Sequence, residues 1–118
     1  MNINKKGLIK IRIQLKENLY IGPGKILLLE KINDKGSISK AAESIGLSYR
    51  KAWRLINELN NSSVKKLVFA KSGGEGVRGT ELTLEGKNLI RLFRKIEKNL
   101  NKISLKEKKD LEKIFGKL

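Results

Sequence analysis

The chain has 118 residues, enough for one domain with a single core and too few for a second ligand-binding domain of ordinary size. Hydrophobic residues make up 39% and charged residues 33%, a globular balance; a formal net charge of +15 and a pI near 10.2 suit a polyanionic partner, nucleic acid before an anionic membrane surface. The lack of His and Cys removes the commonest general base, the thiol nucleophile and most transition-metal ligands, and no apolar run approaches the roughly 18–20 residues of a membrane span.

The opening MNINKKGLIKIRIQLK has no apolar core or small-residue cleavage site of a secretory signal, so the expectation is a cytoplasmic protein, not an enzyme, with no catalytic residues, metal or cofactor and no membrane partner. Lys and Arg exceed Asp and Glu in every segment, so placement has to carry more weight than total charge.

Ile9, Ile11, Ile13 and Leu15 alternate with Lys10, Arg12, Gln14 and Lys16, which predicts a half-buried strand over 9–15 with a hairpin partner at Leu19–Ile21. Gly22-Pro23-Gly24 then punctuates the chain, and Ile26, Leu29 and Ile32 at helical spacing predict a helix over about 25–34. Gly36 can close that helix in a left-handed conformation, and Ser37 or Ser39 can cap a second one running through Ala41 and Ala42 to Ile45.

The stretch GSISKAAESIGLSYRKAWRLINELN, 36–60, breaks at Gly46 and Leu47 for a physical reason. Ala41 and Ala42 let another helix approach closely, Gly46 supplies positive φ for a tight turn, Leu47 plugs the crook and Ser48 caps the next helix. That is a helix-turn-helix. On its second helix, from Tyr49 to about Asn60, Ala52, Ile56 and Leu59 share the core face, which leaves Arg50, Lys51, Arg54 and Asn57 toward solvent. Trp53 reads as a core anchor at the edge of that face, and Tyr49 serves either packing or a phosphate or base contact.

KKLVFAK and TELT read as two strands of a hairpin around the glycine-rich loop SGGEGVRG. Helix-turn-helix followed by such a hairpin and another helix is the order of a winged helix. Gly74, Gly76 and Gly79 form a literal G-x-G-x-x-G, yet TELT resumes an extended pattern where a dinucleotide fingerprint must open a helix, and no P-loop Lys-Ser/Thr pair follows. The loop reads instead as a wing whose Lys71, Arg78 and backbone amides contact phosphate or the minor groove.

Thr83 can cap a helix over LEGKNLIRLFRKIEKNLNKI, where Leu89, Phe93, Ile96, Leu100 and Ile103 follow the 4-3-4-3 spacing of a coiled-coil dimer seam. Arg91, Arg94, Lys95, Lys98 and Lys102 read mostly as the solvated face of that helix. Ser104 and Glu107 form a capping-box pattern, so the tail is expected to be a separate short helix with Leu111, Ile114, Phe115 and Leu118 on one face.

These residues resemble a known family. GPGKILLLEKINDKGSISKAAESIGLSYRKAWRLINELN and the wing SGGEGVRGTELTLEG are similar to the N-terminal DNA-binding domain of the ModE family of molybdate-responsive transcriptional regulators, related to the LysR-type winged helices. The most specific parts are GSIS-x-AA, the G-x-SY-(R/K)-x-AW segment, the NELN ending and LT-x-EG after the wing. The resemblance implies a dimeric regulator binding a palindromic operator, with Ser48, Tyr49, Arg50, Lys51 and Arg54 on the recognition helix and Gly73, Gly74, Gly76 and Gly79 in the wing. Full-length members carry C-terminal molybdate-binding domains, whereas this chain is expected to end after a dimerisation-like helix, so it would act as a constitutive repressor, respond through a partner protein or bind an effector at another site.

The expectation is therefore an α+β, mostly helical fold: an N-terminal strand or hairpin over 1–22, a winged helix-turn-helix over 23–86, and C-terminal dimerisation helices over 87–118. Double-stranded DNA would be met by Ser37, Ser39, Ser48, Tyr49, Arg50, Lys51, Arg54, Asn57, Lys71, Gly74, Gly76 and Arg78, within a recognition helix at 48–60 and a wing at 72–80. A sequence-neutral architectural binder of nucleic acid and a partner-docking module remain as alternatives.

Overall fold

The computed structural model describes residues 8–71 and 79–116. Along the chain run β1 (Ile13–Lys16), β2 (Leu19–Ile21), α1 (Pro23–Lys35), α2 (Ile38–Ser44), α3 (Tyr49–Ser62), β3 (Val68–Ala70), β4 (Thr80–Leu82), α4 (Leu84–Ile103) and α5 (Leu105–Phe115). The fold is α+β and mostly helical, with two separate antiparallel strand pairs, β1–β2 and β3–β4. Among the described residues no helix is long and apolar enough to cross a membrane.

Helix α1 is the centre of the core. Pro23 occupies its first turn, where an amide donor is not needed, and Ile26, Leu28, Leu29 and Ile32 are all fully buried. Gly36 ends it at φ 74°, donating its N–H to Ile32 O at 2.8 Å. The Gly36 carbonyl then accepts from Thr80 N–H at 2.9 Å, which ties the end of α1 to β4.

The strand expected over 9–15 is shorter and shifted: β1 begins at Ile13 and pairs with β2 through Ile13↔Ile21 and Gln14↔Tyr20. The cause lies on a distant helix. Asn101 of α4 accepts from Ile9 N–H at 2.7 Å and donates to Ile9 O at 3.2 Å, so a side-chain amide replaces a strand partner and holds this segment against α4.

Asn60, near the end of α3, organises the entry to β3. Its side chain accepts from the N–H of Leu67 at 2.8 Å and of Val68 at 3.1 Å, and donates to Val68 O at 2.9 Å. Val68 and Leu82 then pair with their side chains buried in the core. Asn60→Ala is expected to cost about 1–3 kcal/mol, because three half-buried backbone groups lose their partner while little apolar contact is removed. Urea denaturation reads this as a lower midpoint at unchanged m.

Thr83 caps α4 by accepting from Gly86 N–H at 3.1 Å, and its hydroxyl donates to Lys66 O at 2.7 Å. Arg94, expected on a solvated face, is committed instead to an ion-pair cluster. Its Nε and one terminal nitrogen donate to the two carboxylate oxygens of Glu30 on α1 at 3.0 and 2.6 Å, and the other reaches Glu97 at 2.7 Å. These contacts, the Glu30 hydrogen bonds foremost, raise the guanidinium pKa further above its ordinary value. Because Arg94 is more than a third exposed, Arg94→Ala should cost only about 1 kcal/mol after solvent screening. A double-mutant cycle with Glu30→Gln would show most of that loss as coupling.

The expected capping box at Ser104 does not form. Ser104 stands at φ −93° and ψ 15°, not in the extended conformation an N-cap needs, and makes no side-chain cap bond. Backbone bonds run through it instead, from Ser104 N–H to Leu100 O and from Lys108 N–H to Ser104 O. Helix α5 has no buried residue, and Leu111, Ile114 and Phe115 are exposed; Leu118 lies outside the described residues.

Candidate nucleic-acid interface

The helix-turn-helix is built by α2 and α3. Ser37 Oγ accepts from Lys40 N–H at 3.0 Å to open α2, and the buried Ala41 and Ala42 let α2 lie close to its neighbours. The turn closes through Leu47 N–H to Ala42 O at 2.9 Å, with Gly46 at φ 72°, a conformation in which a Cβ would be strained. Ser48 Oγ then accepts from Lys51 N–H at 3.1 Å and starts α3.

Ala52, Ile56 and Leu59 turn into the core. The opposite face of α3 carries Arg50, Arg54 and Asn57 at positions i, i+4 and i+7, all exposed, with Tyr49 beside them and Lys51 on the flank. None of the ion pairs among the described residues uses Arg50, Lys51 or Arg54, in contrast to Arg94. Their donors face solvent from the first two turns of a helix, where the N-terminal dipole also favours an anion.

Trp53 departs from the expected core anchor. It is 50% exposed and lines a shallow cleft of about 140 Å³ between α3 and the hairpin, with Ile38, Phe69 and Thr80. Ala52 and Ile56 saturate the buried face, so the larger indole is placed at its edge, beside β3 and β4. Ser37 and Ser48 spend an oxygen lone pair on capping and keep a hydroxyl proton to donate, and Ser39 is exposed on the first turn of α2.

Lys71 follows β3, donates its N–H to Gly79 O at 2.8 Å and pairs with Glu81 at 2.8 Å, so its charge is partly answered within the hairpin. Gly73, Gly74, Gly76 and Arg78, expected at the wing tip, lie outside the described residues.

On α4 the expected seam requires one correction. Phe93 is 2% exposed within this single chain and belongs to the core, so it is not open to a second copy. Leu89 is half-buried against the same core, whereas Leu92, Ile96, Leu100 and Ile103 form the exposed apolar row. Leu92, which sequence reasoning missed, lies on that exposed side because the helix is rotated to deliver Phe93 inward. A second missed residue is Asn60, visible in the sequence only as part of the NELN ending.

Comparison with known proteins finds relatives by sequence. Over 85 residues the chain is 40% identical to the transcriptional regulator ModE of Yersinia pestis and, over the same number, 41% identical to the DNA-binding transcriptional dual regulator ModE of Escherichia coli (strain K12); both alignments cover 72% of this chain and 32% of the relative. Among its relatives are ModE transcriptional regulators. ModE of Haemophilus influenzae is 33% identical over 90 residues, 76% of this chain and 35% of its own length. The chain thus spans about a third of the length of the ModE relatives it matches. No family model matches it.

Proposed function

We propose that this chain is a sequence-specific, double-stranded DNA-binding transcriptional regulator that acts as a dimer in the cytoplasm. Residues 23–86 form the DNA-binding unit, with α3 entering the major groove and the β3–β4 hairpin as the wing. The observation that carries the reading is the exposed row Arg50, Arg54 and Asn57 on α3, opposite a fully buried Ala52, with no carboxylate engaging the two guanidinium groups among the described residues. Arginine can bond the O6 and N7 of guanine through two donors, and asparagine can pair with the N6 and N7 of adenine. The names of the ModE relatives support the same role.

Leu89, Ile96, Leu100 and Ile103 of α4, joined by Leu92, supply the pairing face between copies, and two recognition helices would then lie about 34–36 Å apart, one turn of DNA. The site read by such a dimer is an inverted repeat. The test is selection from random duplex DNA at about 150 mM salt, near physiological ionic strength. An enriched inverted repeat is the expected result; retention without enrichment would replace this reading by a sequence-neutral architectural binder. No retention would move the function to docking a protein partner, for which the exposed Leu111, Ile114 and Phe115 of α5 offer a surface.

A further inference from the structure

A second cationic feature lies beside the recognition helix, on the N-terminal hairpin that the helix-turn-helix reading leaves without a task. Arg12 stacks on the Tyr20 ring at 3.5 Å from its centroid, and Lys25 Nζ stands 3.9 Å from the same centroid while donating to Tyr20 O at 2.8 Å. Tyr20 thereby gathers two cations from different elements into one place. Cation–π contact orients these groups without neutralising them.

They line a cleft of about 470 Å³ together with the turn residue Leu47 and Lys51 of α3. Among the described residues no carboxylate lines this cleft. Three positive charges lining one cleft that no carboxylate lines among the described residues favour the entry of an anion. Lys51 sits one residue past Arg50 and on the flank of the exposed row, so the cleft opens beside the face of α3 assigned to the bases.

We propose that Arg12, Lys25 and Lys51, arranged around Tyr20, form a phosphate clamp that grips the DNA backbone next to the base-reading row of α3. The inference rests on the DNA reading above and extends it to β1–β2 and the start of α1. The clamp carries no sequence information; it positions α3 and adds counterion release. Lys16, also on the hairpin, points elsewhere, toward Ser62 O at 3.4 Å, and is not part of it.

The experiment is salt-dependent binding of wild type, Arg12→Gln, Lys25→Gln and Lys106→Gln to the selected duplex and to a mixed-sequence duplex. Arg12 and Lys106 are exposed, and thermal melts verify the fold of every variant, Lys25→Gln above all because its amine also holds Tyr20 O. Each clamp variant is expected to weaken both duplexes by the same factor, roughly 3- to 10-fold, and to lower the slope of log affinity against log salt by about 0.9 per lost contact. Lys106→Gln, out on the tail, should change neither.

An unchanged slope in folded Arg12→Gln, with wild-type binding intact, would overturn the clamp while leaving the DNA reading in place. An equal loss in Lys106→Gln would overturn it too, since net charge alone would then explain the effect. Binding of inorganic phosphate at Arg12 and Lys25 without a change in the DNA slope would mark a free-anion site and reject the backbone contact. Failure of the wild-type chain to bind any duplex would reject the DNA reading and the clamp with it.

Discussion

Replacing Gly86 by alanine is expected to destabilise the fold by about 3 kcal/mol, a fall in Tm of roughly 10–20 °C. Gly86 is buried in the first turn of α4, and a Cβ there would run into the Leu67 carbonyl oxygen and lie 3.4 Å from Leu82 Cβ. Both the oxygen and the turn that holds it are fixed. Thr83 N–H donates to Leu67 O at 2.9 Å and its hydroxyl to Lys66 O at 2.7 Å, so moving α4 away to admit a methyl group would stretch the bonds that start the helix. Helix propensity argues the other way, since alanine in a helix is favoured over glycine by about 1 kcal/mol. Gly24 supplies the control: it lies in α1 where an added Cβ would meet nothing within 4 Å, so Gly24→Ala should leave stability unchanged or raise it by roughly 0.5 kcal/mol. Thermal melts of the two variants separate close approach from propensity, and equal effects would refute the packing argument.

The second large effect is on binding. Arg50→Ala and Arg54→Ala are each expected to cost about 1–3 kcal/mol on the selected duplex, roughly 5- to 150-fold in affinity, and to relax specificity at one base position each. Stability should hardly move, because both side chains are exposed and neither takes part in an ion pair among the described residues. Titrating each variant against duplexes altered one base pair at a time distinguishes the roles. Uniform weakening on every sequence would mean that both arginines hold phosphate, and the base-reading assignment would fall. The clamp variants are expected to behave in just that uniform way, so the two sets of measurements check each other.

Much of this architecture was legible from local chemistry. Ser37, Ser48 and Thr83 cap the helices where hydroxyl residues precede apolar periodicity, and α4 spans the residues that its spacing indicated, Leu84–Ile103. Local signals failed where a remote partner competed with them. The alternation from Ile9 suggested a longer strand, but Asn101, ninety-two residues away, takes the Ile9 backbone. Ser104 and Glu107 matched a capping box, yet the backbone ladder continues through Ser104 and its hydroxyl has no cap to make. Arg94 looked like surface charge until α1 brought Glu30 against it.

What the sequence alone determined is the set of decisions a few neighbouring residues can make: where helices begin, that Gly46 turns between two of them, and that α3 has one apolar and one donor-rich face. Only the tertiary structure decided which surface each apolar or charged residue meets. Phe93 and Ile96 belong to the same periodic stripe, but the core takes in the first and leaves the second open. Arg12, Lys25 and Lys51 are scattered along the chain, and the fold brings them to the lining of one cleft. The reason is that periodicity reports a side chain's direction from its own helix or strand, whereas burial and charge pairing depend on which distant element arrives opposite it.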